Sequence, residues 1–546
     1  MSTRMRRLIL LFAASALLAD EIRHTDTQFQ WKGYSSLAAW EVRAAHLRRQ
    51  ILSSAGLLPL PEKRPMVPQI FGRIDRGEYT IEKVLLETWP GYFLAGNLYR
   101  PTKPGKHPGI ASPHGHWNYG RLEHSQHGSV PARCVNLARQ GYVVFAYDMV
   151  GYNDTVQTPH AFGWNIEDAQ HRRQMLWSFT PLGLQLWNSI RVLDFLEALP
   201  YVDPERLGAT GASGGGTQTF LLAAVDPRVK FAAPVNMISS IMQGGSPCEN
   251  APGLRFDTFN VELGALMAPR PMIMVSATGD WTRNTPRNEY PAIQSIYRLY
   301  DREALLETVQ IDAPHNYNQA SREAVYQFFA KHALKASDPA SFKERPFPVE
   351  PLAAMLVLHN RTLPAQALTF EQFFENWKTA SRRQMESLTD ASLIRERLRL
   401  VLGVDPARDT PGELQEDLRS DVRIVQLGLA PYQEKREAPK FRYFHTFNRS
   451  TAAEQVQGIV TALVELEKRG DRVLKLECQN DAAIACTFAA AIAPLWVKQA
   501  RIELKAPLGK FQGTDEDFLT RFFVPGIQRA GGLEAARRLL KNSASE

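Results

Sequence analysis

The feature that most constrains this chain is a glycine-rich turn between an apolar strand pattern and an apolar helix pattern. The turn reads Gly211-Ala212-Ser213-Gly214-Gly215-Gly216, after the strand pattern of residues 207–210 and before the helix pattern of residues 217–225. Glycines at such a turn let strand and helix approach closely while the serine points outward. A flexible loop before a helix is the alternative, but that alternative does not explain why a strand pattern precedes the turn. We therefore predict a nucleophile elbow with Ser213 at its tip.

Strand and helix patterns alternate on both sides of this turn. A β-hairpin pattern comes first, with Trp89-Pro90-Gly91 at its turn, and helix patterns separate the strand patterns that follow. These strand patterns cover residues 109–112, 142–147, 206–209, 229–235, 271–276 and 306–311. Regular alternation requires an α/β fold with a mostly parallel sheet and helices on both faces. Functional residues are then expected in the loops at the carboxyl ends of the strands.

The chain is longer than one hydrophobic core usually serves, because it has 546 residues. Residues 1–19 have the basic start and short apolar run of a secretory signal peptide, with an N-terminal helix as the alternative. We therefore expect a secreted or periplasmic protein with no membrane anchor after cleavage. Residues 20–75 predict a helical arm, residues 76–336 the main α/β domain, and residues 337–415 a linker with helices.

Residues 416–546 repeat the strand and helix order of the middle of the main domain, with strand patterns at residues 422–427, 441–446, 472–476 and 500–505. The position of the elbow is taken by Glu477-Cys478-Gln479-Asn480-Asp481, which has no serine, and no histidine follows His445. We predict a smaller, truncated and degenerate α/β domain without chemistry of its own, although a purely structural appendage fits equally well. Four cysteines occur in the chain, and one pair of them can be bridged in an oxidising compartment. Their spacing does not say which pair.

An acyl-transfer serine needs a base to take its proton and a carboxylate to orient that base. Asp280 lies in the loop after the strand pattern 271–276, and His315 in the loop after 306–311. The chain order Ser213, Asp280, His315 is the order of an α/β-hydrolase triad. Two other acids are weaker candidates. Asp312 shares its strand end with His315, and Glu249 lies in an insert.

Backbone N–H groups are also needed to bind the oxyanion that forms during acyl transfer. We predict that Gly214, next to the nucleophile, and His116, in the loop after the strand 109–112, supply them. His116 belongs to a group of histidines with His114, His124 and His127. No carboxylate or cysteine accompanies these histidines at ligand spacing, so neither a metal nor a cofactor is expected.

Three further residues are predicted to contact substrate. Trp117 follows His116, and Trp281 follows Asp280. Glu249 lies in the insert of residues 238–267, and an ordinary surface loop explains this insert equally well. Nucleic acid is not expected as a partner, because the net charge of +7 is spread along the chain.

Six short motifs together resemble the α/β-hydrolase superfamily, in particular its secreted acetyl xylan esterase-like and dienelactone hydrolase-like branch. The motifs are Pro113-His-Gly-His116, Tyr147-Asp148-Met-Val-Gly151, Gly211-Ala-Ser-Gly-Gly215, Ala268-Pro-Arg-Pro271, Gly279-Asp-Trp281 and Ala313-Pro-His-Asn316. The resemblance covers roughly residues 78–336. It is specific for the fold and the triad, and much less so for the substrate.

This resemblance implies a secreted serine carboxylic ester hydrolase that forms an acyl-enzyme on Ser213. The expected substrate is a small ester or an acylated polysaccharide. A peptidase or amidase of the prolyl oligopeptidase type shares this catalytic domain, but the repeated blades of its propeller are not visible in the sequence. A non-catalytic glycan-binding protein on the same fold is the other alternative. The sequence leaves the oligomeric state open.

Overall fold

A nine-stranded sheet forms the centre of the protein. The structure is a computed structural model that describes residues 22–407 and 441–543. The strands are β1 Gln69–Asp75, β2 Tyr79–Trp89, β3 Tyr92–Pro101, β4 His107–Pro113, β5 Val143–Tyr147, β6 Val202–Ala212, β7 Val229–Val235, β8 Met272–Gly279 and β9 Leu306–Pro314. Their order is β1-β2-β3-β5-β4-β6-β7-β8-β9. Strands β1, β2 and β3 pair antiparallel, and β3 is also antiparallel to β5. The six strands β5, β4, β6, β7, β8 and β9 are parallel to one another, which confirms the predicted α/β-hydrolase type of sheet.

Helices follow most of the strands and extend beyond the sheet. They are α1 Leu37–Ser54, α2 Val130–Arg139, α3 Ala169–Leu176, α4 Pro181–Ala198, α5 Gly214–Val225, α6 Asn260–Ala265, α7 Glu289–Leu299, α8 Gln319–Phe329, α9 Leu352–Met355, α10 Phe370–Ser387, α11 Ala391–Leu402, α12 Phe444–Phe447, α13 Thr451–Lys468, α14 Ala482–Ile492, α15 Asp515–Arg521 and α16 Gly532–Ser543. Among residues 22–407 and 441–543, none is both long and apolar enough to cross a membrane.

The central parallel strands are buried on both faces, whereas the edge strand β9 is mostly half-buried. In β5 the side chains of Val143 and Phe145 belong to one hydrophobic cluster, with α4 and α5, while Val144 and Ala146 belong to another, with α2 and α8. Alternate residues of a strand point to opposite faces. The helices therefore cover the sheet from both sides.

Three elements differ from the sequence prediction. Strand β1, Gln69–Asp75, lies within the region that we predict as a helical arm. It is an exposed edge strand, and such a strand does not need the alternating apolar pattern by which strands are recognised. Helix α3, Ala169–Leu176, is an additional element. The strand predicted at residues 441–446 is wrong, because Phe444–Phe447 is a short helix. Its aromatic run has high β-propensity, but the local fold overrides that preference.

The C-terminal residues form a small α/β unit on the main core. Strands β10 Val473–Glu477 and β11 Arg501–Lys505 pair in parallel, with α14 between them in sequence. A disulfide joins Cys478 to Cys486, so the bridged pair that spacing left open is this one. The predicted signal peptide at 1–19, the predicted domain start at 416 and a strand predicted at 422–427 lie outside the described residues. The hypothesis of a degenerate hydrolase domain stays a prediction.

Candidate active site

Ser213 stands at the junction of β6 and α5 in a strained backbone conformation. Its φ is 59° and its ψ is −125°, and it caps the helix that begins at Gly214. Positive φ is uncommon for a residue with a side chain and is typical of functional turns. A Cβ on Gly211 would lie 2.6 Å from the Gly215 carbonyl, and one on Gly215 would lie 2.8 Å from the His114 carbonyl. The turn therefore needs glycine at both positions, as an elbow requires.

His315 and Asp280 are brought together at the ends of β9 and β8. The Nδ1 atom of His315 lies 2.8 Å from Oδ2 of Asp280, and the Asp280 side chain is almost fully buried at 2% exposure. The other oxygen of Asp280 accepts hydrogen bonds from the backbone N–H and the hydroxyl of Thr282, at 2.7 and 2.5 Å. These bonds hold the carboxylate in a position where it orients the imidazole.

The two weaker candidates for the acid lie elsewhere. Asp312 accepts a hydrogen bond from the Thr278 hydroxyl at 2.7 Å on the exposed side of the sheet end. Glu249 accepts hydrogen bonds from the backbone N–H groups of Gly245 and Ser246, at 2.8 and 3.0 Å. The structure therefore pairs His315 with Asp280, and neither alternative acid contacts it.

Gly115, in the predicted oxyanion loop, lies between Ser213 and Trp117. A Cβ on Gly115 would lie 3.2 Å from both Ser213 Cβ and Trp117 Nε1. The Trp117 ring in turn stacks beside His315, with ring centres 6.2 Å apart. Across residues 22–407 and 441–543, Nε2 of His315 has no hydrogen-bond partner, although that atom is buried. The second ring nitrogen of His315, the predicted base, is therefore not engaged by another described group.

His114 is bonded within the loop that carries His116, one of the two predicted oxyanion donors. Its Nε2 accepts a hydrogen bond from the Met149 N–H at 2.9 Å, and its Nδ1–H donates to the Gly115 carbonyl at 2.7 Å. Burial lowers the pKa of His114 to about 3, so the ring is neutral. Gly214 occupies the first position of α5, where a helix N–H has no intrahelical acceptor. That N–H lies next to Ser213, the predicted nucleophile.

The side chain of His116 lies among residues that the sequence analysis did not connect. Its Nε2 is 3.2 Å from Nε2 of His160 and 3.1 Å from Sγ of Cys248. The other histidines of the 114–127 segment bond elsewhere, for example His124 to the Ser129 hydroxyl at 2.7 Å. His116, His160 and Cys248 are the kind of side chains that can hold a metal ion. His160 and Cys248 are 44 and 132 residues from His116, so no local pattern could have indicated them.

The predicted substrate-binding residues have different surroundings. The rings of Trp117 and Trp281 both lie against His315, with the Trp281 ring centre at 4.4 Å. The Glu249 carboxylate instead holds its own insert together. That insert is also contacted by the C-terminal region, because the Tyr443 hydroxyl donates to the Gly245 carbonyl at 3.2 Å. Tyr443 is a neighbour of the site that sequence reasoning missed.

Comparison with known proteins places the chain in a family. A family model for acetyl xylan esterase (AXE1) matches residues 81–239. The chain is 26% identical over 264 residues to "Putative hydrolase YtaP" of Bacillus subtilis (strain 168). The matched region covers 44% of this chain and 82% of that protein. It is 30% identical to the solved structure of Methylesterase BT1017, with coverage of 65% of this chain and 78% of that chain and a TM-score of 0.54. The chain therefore belongs to the α/β-hydrolase superfamily, as a carboxylesterase of its acetyl xylan esterase-like branch.

Proposed function

We propose that this esterase is a serine enzyme that deacylates carbohydrate esters through an acyl-enzyme on Ser213. The observation that carries the proposal is the strained Ser213 between a buried strand and a helix N-terminus, in a fold whose neighbouring strand ends hold an imidazole paired with a buried carboxylate. A binding protein on this fold would need neither the strain nor the oriented imidazole.

Each residue has a defined role in the proposed reaction. His315 Nε2 takes the proton of Ser213 as Oγ attacks the ester carbonyl, and Asp280 stabilises the imidazolium that forms. The N–H groups of Gly214 and His116 donate to the oxyanion. His315 then protonates the leaving alcohol, and a water molecule activated by the same histidine releases the acid. Catalytic hydrogen bonds are often long or poorly aligned without substrate and shorten in the complex, which accounts for the absence of a partner on His315 Nε2 among the described residues.

The first candidate substrate is an acetylated polysaccharide, because the matching family model is that of acetyl xylan esterases. A methyl ester of a carbohydrate acid is the second, because a relative with 30% identity is named a methylesterase. The two classes leave different parts of the substrate on Ser213: acetyl in the first and the carbohydrate acyl group in the second. Trp117 and Trp281 beside His315 offer flat apolar faces for a sugar ring in either case.

Secretion is part of the proposal. The basic start and apolar run of residues 1–19 are typical of a signal peptide. The disulfide between Cys478 and Cys486 supports the same location, because such bonds persist in oxidising compartments.

The nucleophile is tested by Ser213→Ala. We expect turnover on p-nitrophenyl acetate to fall at least about a thousandfold, because the variant has no nucleophile, while the melting temperature stays near that of the wild type. Ser387→Ala is the matched control, because Ser387 is exposed at the end of α10. A Ser213→Ala enzyme that keeps more than about a tenth of wild-type turnover would exclude Ser213 as the nucleophile.

The substrate class is tested with two polymers. Initial rates of acetate release from acetylated xylan and of methanol release from a methyl-esterified polyuronide are compared at equal ester concentration. Faster acetate release supports the first candidate, and faster methanol release replaces it with the second. Peptide anilides serve as the amide control, and cleavage of these in preference to both esters would contradict an esterase.

A further inference from the structure

Three loops that are distant in sequence bring metal-binding side chains to one point beside the elbow. His116 follows β4, His160 lies in the loop after β5, and Cys248 lies in the short 3-10 helix Pro247–Glu249 of the insert. One ligand atom from each residue lies within 4.8 Å of the other two. Cys248 is buried, with 2% exposure.

The ring of His160 is oriented as in a metal ligand. Its Nδ1 lies 2.6 Å from the Val150 carbonyl, and a carbonyl can only accept, so the proton is on Nδ1. The lone pair of Nε2 therefore faces His116. Histidines that bind metals commonly donate their other ring N–H to a carbonyl in this way, which fixes the tautomer and the ring direction.

The separations suit a tetrahedral zinc site. Zinc binds nitrogen at about 2.0–2.1 Å and sulfur at about 2.3 Å, which places two nitrogens about 3.3 Å apart and a nitrogen and a sulfur about 3.6 Å apart. The corresponding distances here are 3.2 Å between His116 and His160 and 3.1 Å between His116 and Cys248. A shift of about half an ångström admits the ion. Ser246 Oγ, 3.3 Å from His160 Nε2, lies next to the fourth position.

The donor set favours zinc. A bound cation would be partly neutralised by the Cys248 thiolate, which forms as the metal displaces the thiol proton to solvent. A mixed set of imidazole and thiolate ligands is typical of Zn²⁺.

We propose that His116, His160 and Cys248 bind one Zn²⁺ ion that joins the three loops around Ser213. The imidazole of His116 packs against the start of α5, since a Cβ on Gly214 would lie 2.7 Å from its Cε1. An ion that holds this ring also holds the backbone of the predicted oxyanion loop. The ion has a structural role, and the reacting atoms remain those of the serine mechanism. The proposal replaces the metal-free expectation from sequence, which considered only the histidines of residues 114–127.

The test measures metal binding directly in the full-length protein. We expect elemental analysis of the purified enzyme to find about one zinc ion per chain. Protein stripped with a chelator should take up one Zn²⁺ in a calorimetric titration and regain its melting temperature. Cobalt substituted at the site should give a thiolate-to-cobalt charge-transfer band, because Cys248 would be a ligand.

Matched cysteine variants locate the ion. Cys248→Ala should lose the bound zinc and the charge-transfer band, whereas Cys134→Ala, which changes the other free buried cysteine, should keep both. His160→Gln supplies a second test if Cys248→Ala does not fold. A metal-free enzyme whose stripped form takes up no Zn²⁺ at micromolar concentration would overturn the proposal. So would zinc retained in both Cys248→Ala and His160→Gln, or stoichiometric copper in place of zinc. Hydrolysis is not the readout, so this test is independent of the assignment of Ser213.

Discussion

His114 is a histidine that the fold keeps neutral. It is fully buried, and both ring nitrogens have fixed roles, one accepting from Met149 and one donating to Gly115. A proton added to Nε2 would break the first of these bonds. Protonation of His114 at low pH is therefore expected to destabilise the predicted oxyanion loop.

We predict that His114 lowers the free energy of unfolding as the pH falls below about 6.5, the ordinary histidine pKa. Burial lowers the pKa of His114 to about 3 in the folded state, so between these values the unfolded chain binds a proton that the folded chain does not. The free energy of unfolding should then fall by up to about 1.4 kcal/mol per pH unit from this residue. Urea unfolding between pH 4 and 7 measures it.

His114→Gln is the variant for this measurement, because glutamine still offers one acceptor and one donor but does not titrate. Its unfolding free energy should depend less steeply on pH than that of the wild type. His359→Gln, at an exposed position, is the control and should keep the wild-type slope. Parallel slopes for wild type and His114→Gln would show that His114 does not titrate in this way.

At the scale of an element, the elbow is a close contact between β6 and α5. We predict that Gly215→Ala lowers both the melting temperature and ester turnover, because the new Cβ would meet the backbone of Pro113 and His114 at 2.8 Å. Overpacking of this kind costs about 1–3 kcal/mol and displaces the oxyanion loop. Thermal unfolding and initial rates on a small ester measure the two effects.

Gly245→Ala is the matched control in the insert, since a Cβ there meets nothing within 4 Å. It should be close to the wild type in both measurements. If Gly215→Ala also behaved as the wild type, the elbow could not be as tightly packed as described.

At the scale of the whole molecule, the C-terminal region completes the core of the sheet domain. Trp377 of α10 stacks on Trp89 of β2 at 4.9 Å, and its indole N–H donates to the Trp177 carbonyl at 3.0 Å. The guanidinium of the buried Arg529 donates to the Gly56 carbonyl at 2.8 Å. Residues of α13 and α14 belong to the same hydrophobic cluster as α4 and α5.

We predict that truncation after residue 336 yields an aggregating protein or one with a clearly lower melting temperature, because it exposes these apolar surfaces to water. Cys478→Ala is the control. It removes the disulfide but not the packing, and should keep turnover on a small ester, since Cys478 is not part of the proposed reaction. A soluble truncated protein with an undiminished melting temperature would contradict the prediction.

Most of the sheet and the catalytic candidates could be predicted because their signals are local. The buried parallel strand β5 is a continuous apolar run and β7 is apolar except for Lys230, and the residues after β8 and β9 are the polar Asp280 and His315. Strand β1 lacks such a signal, because an exposed edge strand needs no apolar pattern. The short helix Phe444–Phe447 was missed because single-turn elements depend on their surroundings.

By itself the sequence determined the α/β class, the strained position of Ser213 and the pairing of an acid with a base at strand ends. These follow from glycine sterics, from hydrophobic periodicity and from the rule that parallel strands end on one edge. Only the tertiary structure decided that Cys478 bonds Cys486 and that His116 meets His160 and Cys248. The disulfide spans only 8 residues, but cysteine spacing did not distinguish it from the other pairs. The contacts of His116 join loops whose positions depend on the packing of the whole core, and no local pattern records that packing.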